Sequence, residues 1–513
     1  MSTSIETRCF IAGEFCQPTG GESFVLKNPT TGEEVCEVPC AGKMEIERAV
    51  EAAKAAQPAW AALPAAARAK CLLKLADLIE QHADKIAYLD AVTVGKPVGP
   101  QKHELSIAAN RIRYEASLAE SLVGESSLLT PGQIGLVLRE PYGVVAGERF
   151  QFLERKLGVL TCGGTGILPW NCSALSPAQR PLTRTRVFRF AGKVAPAVAA
   201  GNAIIIKSSE KSPLGTFVIA GLTLEAGFPP GVVQVVTGLG ATGALLAEHP
   251  EIRKISFTGS TSTGRKVAEA AARSNLKAVA LELGGKSPTI IFEDADLDIA
   301  VPASSFSVAY NSGQLCMANS RIYVHESIAA EFMTRFKEAF GAFKQGDPLN
   351  KETQMGPQAD EIQGRIVRNY LTSGKQDGKV EMGGEPVEGK GQFIQPTVFS
   401  SVPEEARINK EEIFGPVVVV HTFKDEAEAI RRANDTDYGL YASLFTRDID
   451  RAIRVAKALQ AGTVGVNTSS PSTAHELPFG GYKLSGVGRE GGVDSLYTWT
   501  EAKSVIIKYK TTA

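Results

Sequence analysis

No apolar run in the 513 residues is long enough to span a bilayer, which excludes a helical membrane anchor. Basic and acidic residues balance at 55 against 56, a formal charge of −1, so nothing argues for a nucleic-acid or anionic-membrane surface. Histidines number six and are dispersed, and the eight cysteines are scattered rather than paired as CxxC, which excludes a zinc site and a disulfide framework. Cys36 and Cys40 stand four apart with no second ligand pair following, and read as structural. The opening MSTSIETRCFIAGEF has neither the apolar core of a signal peptide nor an Arg-rich presequence, and the closing IIKYKTTA has no recognisable address. These absences predict a metal-free cytoplasmic protein. What remains, 43% hydrophobic and 22% charged residues, is the balance of a globular chain of two or three domains.

No internal repeat is visible. Residues 45–62 and 69–90 carry Ala/Leu-rich helical periodicity. From 142 onward, YGVVAG, NAIIIK, GVVQVVTG, KISFTGS and TIIF read as strands buried on both faces, with helical stretches between them. Strand, helix, strand with short Gly/Pro/Asn punctuation predicts a parallel doubly wound α/β sheet. A second alternating region runs from about 315 to 470. The terminal WTEAKSVIIKY reads as a strand with little behind it, available for pairing with another subunit.

Such a sheet invites a search for a phosphate cradle. Gly238, Gly240 and Gly243 fit G-x-G-x-x-G, but no acidic residue follows about 20 positions on, where a ribose-binding carboxylate belongs. FTGSTSTG at 257–264 is the alternative: Gly259, Ser260 and Gly264 open a helix whose free N–H groups suit a pyrophosphate, or else Ser260 or Thr261 is only an N-cap. Cys316, in NSGQLCMANSR, has no cysteine at CxxC spacing and no histidine nearby. Alone it reads as a small buried hydrophobe.

Four motifs in order, LELGGKSP (281–288), GQLC (313–316), EEIFGP (411–416) and PFGGYKLSGVGRE (478–490), resemble those of NAD(P)-dependent aldehyde dehydrogenases, and the likeness extends over nearly the whole chain. The resemblance implies a Rossmann-like NAD-binding domain (1–124 and 142–282), an α/β catalytic domain (283–470) and oligomerisation strands (125–141 and 491–513). It implies Cys316 as nucleophile, Glu282 as general base and Asn171 as oxyanion-hole amide. It further implies that Lys207 and Glu210 hold the adenosine ribose and that Gly259, Ser260 and Gly264 meet the pyrophosphate. Glu412 and Phe414 contact the nicotinamide ribose and ring, and Trp170 lies along the same cleft. The implied cofactor is NAD, with NADP as the alternative, since a carboxylate at 210 suits a free 2′-hydroxyl. The partners implied are a small-molecule aldehyde and copies of the chain, as a homodimer or homotetramer. The chemistry suits these residue types: a thiolate adds to the carbonyl, donors hold the oxyanion, and a carboxylate takes a proton from the water that frees the thioester.

Two segments depart from the family pattern, 148–166 and part of 172–189, on either side of Asn171. The second holds Arg180, Arg184, Arg186 and Arg189, no acid, and two prolines, a poor composition for a buried helix. They read either as loops reshaping the pocket mouth or, the favoured reading, as translated non-coding sequence. Two other outcomes stay open: a betaine-aldehyde or semialdehyde specialist, and a catalytically impaired NAD-binding protein with Asn171 displaced.

Overall fold

The computed structural model describes residues 5–149 and 186–510, apart from 386, 388, 390 and 473. Its largest element is an eight-stranded sheet in the order Glu14–Cys16, Cys9–Ile11, Val233–Val236, Ala203–Lys207, Val144–Arg149, Lys254–Thr258, Ala278–Glu282, Gly486–Val487. The five inner strands run parallel and the outer ones are antiparallel. Every residue of Ala203–Lys207 and of Lys254–Thr258 is buried, as their runs of β-branched and apolar residues predict. Helices Leu214–Glu225, Gly240–Glu248 and Thr261–Ser274 link them, as the alternating pattern predicts.

A second, seven-stranded sheet holds Pro288–Ile291, Arg321–His325, Val417–Phe423, Tyr441–Phe445, Thr463–Val466 and Thr397–Ser400 in parallel, with Lys379–Met382 antiparallel at one edge. The chain passes from the first sheet to the second through residues 283–287, between Glu282 and Pro288, and returns to the first between Val466 and Gly486. Thr500–Lys508 pairs antiparallel with Gln133–Pro141 in a separate three-stranded sheet, so the terminal strand has a partner within its own chain. Its other edge is unpaired among the described residues, and Ile506 and Ile507 on it are exposed.

One expectation needs correction, and the ends of the two atypical segments gain a backbone description. The helix expected over 69–90 is two, Ala65–Gln81 and Ala83–Val94, with His82 between them at φ −98°, ψ 12°. Glu148 and Arg149, assigned to the first atypical segment, complete strand Val144–Arg149 and keep its register with both neighbours. Arg186 and Arg189, in the second segment, fall within helix Arg186–Ala199, so arginine content there does not prevent a helical backbone.

Candidate active site

The carboxyl ends of the inner strands converge on one region, where open parallel sheets bind ligands. Lys207, Thr258 and Glu282 are the last residues of their strands and Glu148 is next to last in its own. All four are buried. The Lys207 ammonium donates to the Ser208 carbonyl at 3.1 Å and lies 3.9 Å from a Glu210 oxygen. Burial presses Lys207 below the usual lysine range, against the pull of Glu210 and Glu148.

Beside them, Ser260 caps helix Thr261–Ser274, accepting from the Thr263 amide at 3.2 Å. The Gly259 amide donates to the Glu282 carbonyl at 3.1 Å, tying this turn to the next strand. Gly264 faces Leu283: a Cβ there would stand 2.7 Å from Leu283 Cδ2. A cleft of about 440 Å³ opens between helices Gly240–Glu248 and Thr261–Ser274, walled by Ala244, Val267 and Ala270. Gly240, from the GLGATG motif, lines the same cleft as Thr263, so the two glycine motifs face each other.

The polar neighbours of Cys316 are staples for its loop. Asn319 donates to the Pro288 carbonyl at 2.9 Å, and its oxygen accepts from Ser307 at 3.1 Å and Ser469 at 2.8 Å. Ser312 donates to the Gly356 carbonyl at 2.7 Å, the Gln314 side chain donates to the Asn311 carbonyl at 3.0 Å, and Ser470 donates to the Met317 carbonyl at 2.6 Å. Asn311, Ser312 and Gly313 all hold left-handed backbone, φ 52°, 56° and 72°. Two such non-glycine residues in a row are strained, and the staples hold them there. The result presents Cys316 on a fixed turn closed by the Ala318 amide on the Leu315 carbonyl at 3.0 Å, in an apolar cluster with Leu315, Met317, Leu440 and Tyr441.

LELGG connects the two halves. Glu282 pairs with Thr258 on one side and Gly486 on the other, and its carboxylate lies where a Cβ on Gly480 would stand 3.0 Å away. The Gly285 amide donates to Glu412 Oε1 at 3.1 Å, and a Cβ at 285 would collide with the Cys316 carbonyl oxygen. Only glycine permits this approach. Burial pushes the Glu412 carboxyl up to about 8, against the Gly285 hydrogen bond and Lys286. Phe414, two residues on, is buried with a left-handed φ of 56°.

Sequence reasoning missed two groups here. Lys193 donates to Glu490 at 2.6 Å and to Ser256 at 2.7 Å, and Glu490 exchanges two backbone hydrogen bonds with Phe479, the neighbour of Gly480. Glu490 closes the PFGGYKLSGVGRE motif, so its position was marked although its pairing with Lys193, 297 residues away, was not. The other is Glu148. Asn171 and Trp170 lie outside the described residues.

The Aldehyde dehydrogenase family model matches residues 15–147 and 164–505, breaking at 148–163 and continuing through 172–189. An aldehyde dehydrogenase of Enchytraeus buchholzi is 42% identical over 511 residues, 98% of this chain and 96% of the relative. Human retinaldehyde dehydrogenase 3 is 41% identical, covering 98% and 93%. Among solved structures, a mutant indole-3-acetaldehyde dehydrogenase of P. syringae in complex with NAD+ and IAA superposes with a TM-score of 0.90 at 35% identity, over 99% of this chain and 98% of that one. An NADP-dependent enzyme of E. coli superposes at 0.89 with 35% identity, over 98% of each. With the family model and relatives matched over nearly the whole chain, the chain belongs to the aldehyde dehydrogenase family, oxidoreductases of the aldehyde group.

Proposed function

We propose that the chain oxidises an aldehyde to its carboxylic acid with NAD+, through a thioester on Cys316. The observation that carries this reading is the close approach of Gly285 to the Cys316 carbonyl, which fixes the nucleophile loop against the segment bearing Glu282. The residues at the strand ends fit a dinucleotide: the capped helix start at Ser260 suits a pyrophosphate, and Glu210 Oε2 is a buried acceptor with no hydrogen-bond partner among the described residues. Lys207 and Glu210 then hold the adenosine ribose, the cleft beside Ser260 takes a flat base against Ala244, Val267 and Ala270, and Glu412 and Phe414 hold the nicotinamide ribose and ring. NAD+, when bound, supplies the hydride acceptor.

The Cys316 thiolate adds to the aldehyde carbonyl, and the Asn171 amide donates to the oxyanion. Removing one such donor typically costs ~3–4 kcal/mol of transition-state stabilisation. Once the carbon is oxidised, a thioester remains on Cys316. Glu282 takes the proton of the attacking water, and the acid leaves with the thiol restored. Leu315, Met317 and Tyr441 around the thiol favour an uncharged substrate end over a betaine aldehyde or a semialdehyde. A KM series over aliphatic, aromatic and charged aldehydes tests this, and the lowest KM for a charged aldehyde would reverse it.

The unpaired edge of Thr500–Lys508 supports assembly into a homodimer or homotetramer. Cys9, Cys16, Cys36, Cys40 and Cys71 are free thiols, which supports residence in the reducing cytoplasm. A second reading, a binding protein with impaired catalysis, draws support from the break in the family match just before Asn171. Aldehyde-dependent NADH formation by the purified chain, beside a version lacking 148–163, separates the two. NAD+ binding without NADH formation, repaired by the deletion, would establish the second.

A further inference from the structure

The mechanism above makes no use of Glu148. It sits directly opposite Lys207 in strand Ala203–Lys207 and Phe257 in strand Lys254–Thr258. It is 1% exposed, and neither carboxylate oxygen has a hydrogen-bond partner among the described residues. One small cavity is lined by Glu148, Lys207, Ser208, Ser209 and Thr258. Glu210 Oε2, 3.9 Å from the Lys207 ammonium, is a third buried carboxylate oxygen with no hydrogen-bond partner among the described residues. Buried polar atoms rarely go unpaired, and those that do call for an explanation. Ionised, these three are acceptors, so what completes them is a donor. On a dinucleotide the donors at this end are the ribose hydroxyls. A phosphate on that ribose brings acceptors and negative charge instead.

We propose that Glu148 is a second ribose-reading carboxylate beside Glu210, so that the chain takes a dinucleotide with a free ribose diol and rejects one carrying a 2′-phosphate. The proposal rests on reading this region as the cofactor site. Among the described residues, the charged and titratable groups facing Glu148 are few. Lys207 comes from the adjacent strand and Glu210 from the turn after it. Lys193, from helix Arg186–Ala199, lines the cavity but spends its ammonium on Glu490 and Ser256. The Cys40 thiol acts on Lys207 from outside the cavity lining. Thr258 and Thr216 complete the lining without charge. Burial pushes the Glu148 carboxyl up to about 8, with Lys207 opposing and Glu210 assisting. Rejection of the phosphorylated dinucleotide therefore strengthens as pH rises and Glu148 ionises.

The test is equilibrium binding of NAD+ and NADP+ by calorimetry at pH 7 and pH 9, with the chain as it stands, Glu148→Gln and Glu210→Gln. The ratio of Kd for NADP+ to Kd for NAD+ is expected to rise at least fivefold between the two pH values in the chain and to stay flat in Glu148→Gln. A residue serving only packing would change both Kd values together and leave their ratio alone. Equal ratios for the chain and Glu148→Gln at pH 9, with NAD+ still bound and Glu210→Gln shifting the ratio, would overturn the role of Glu148 alone. Failure of the chain to bind either dinucleotide would overturn the cofactor-site reading and this inference with it. Should Glu148→Gln not fold, the pH profile of the chain decides, and a flat ratio refutes the proposal.

Discussion

Cys316 and Glu282 act on different halves of the proposed cycle, and their variants should separate it. Cys316→Ala removes the nucleophile, so NADH formation should fall by more than about 10³ while NAD+ Kd stays within about twofold. Glu282→Gln leaves addition and oxidation intact but withholds the base, so a rapid NADH burst should survive while steady-state turnover drops about 10²–10³. A lost burst would move Glu282 to the earlier step. Glu148 has a consequence for stability as well. Its carboxyl is raised in the folded chain to about 8 from an ordinary value of 4.5. A raised acid keeps its full stability below the ordinary value and loses it as pH rises toward the folded value. Glu148→Gln should therefore match the chain at pH 5 and be the more stable at pH 9, by up to ~4 kcal/mol, with the pairing to Lys207 lowering that figure. Thermal melts at the two pH values check this, and a variant less stable at pH 9 would show an ionised carboxylate well paired with Lys207.

At the scale of elements, legibility followed burial. The inner strands could be read because Ala203–Lys207 and Lys254–Thr258 are buried on both faces, leaving short β-branched and apolar runs. The break at His82 could not be read, because one non-helical residue barely shifts the apolar spacing and both helices bury their faces in the same core. Glu148 was missed because a charged residue where the family pattern stops looks like the start of an insertion, although the backbone still pairs on both sides. The Cys316 loop was legible by its residue types but not by its geometry, since nothing local announces three left-handed residues in succession. Gly313 is the test of that loop. A Cβ there would strike the backbone at Gly415, and φ is 72°. Gly313→Ala should lower the melting temperature and abolish NADH formation, with a backbone cost of at least ~1 kcal/mol before any clash. Unchanged activity would mean the loop does not depend on its strained form.

For the whole molecule, the assembly proposed above would rest on the three-stranded sheet. Thr500–Lys508 is satisfied on one edge by Gln133–Pro141, and the other edge leaves Ile506 at 65% and Ile507 at 45% exposure. Replacing both by Asp should shift light-scattering mass from oligomer to monomer while leaving the fold intact, because neither side chain is buried within the chain. A monomeric parent would remove the ground for that expectation. The short crossing at 283–287 has a different consequence. The strand that ends at Glu282 and the strand that begins at Pro288 belong to different sheets, and the Gly285 amide between them is bonded to Glu412 at 3.1 Å. The chain returns to the first sheet between Val466 and Gly486, so rocking of one sheet against the other loads two connections, and the shorter one carries the Gly285–Glu412 bond. The Gly285 proton is thus a strain gauge set between the half that would grip the dinucleotide and the half that carries the thiol, and its rate of exchange with solvent reports how firmly the two are clamped.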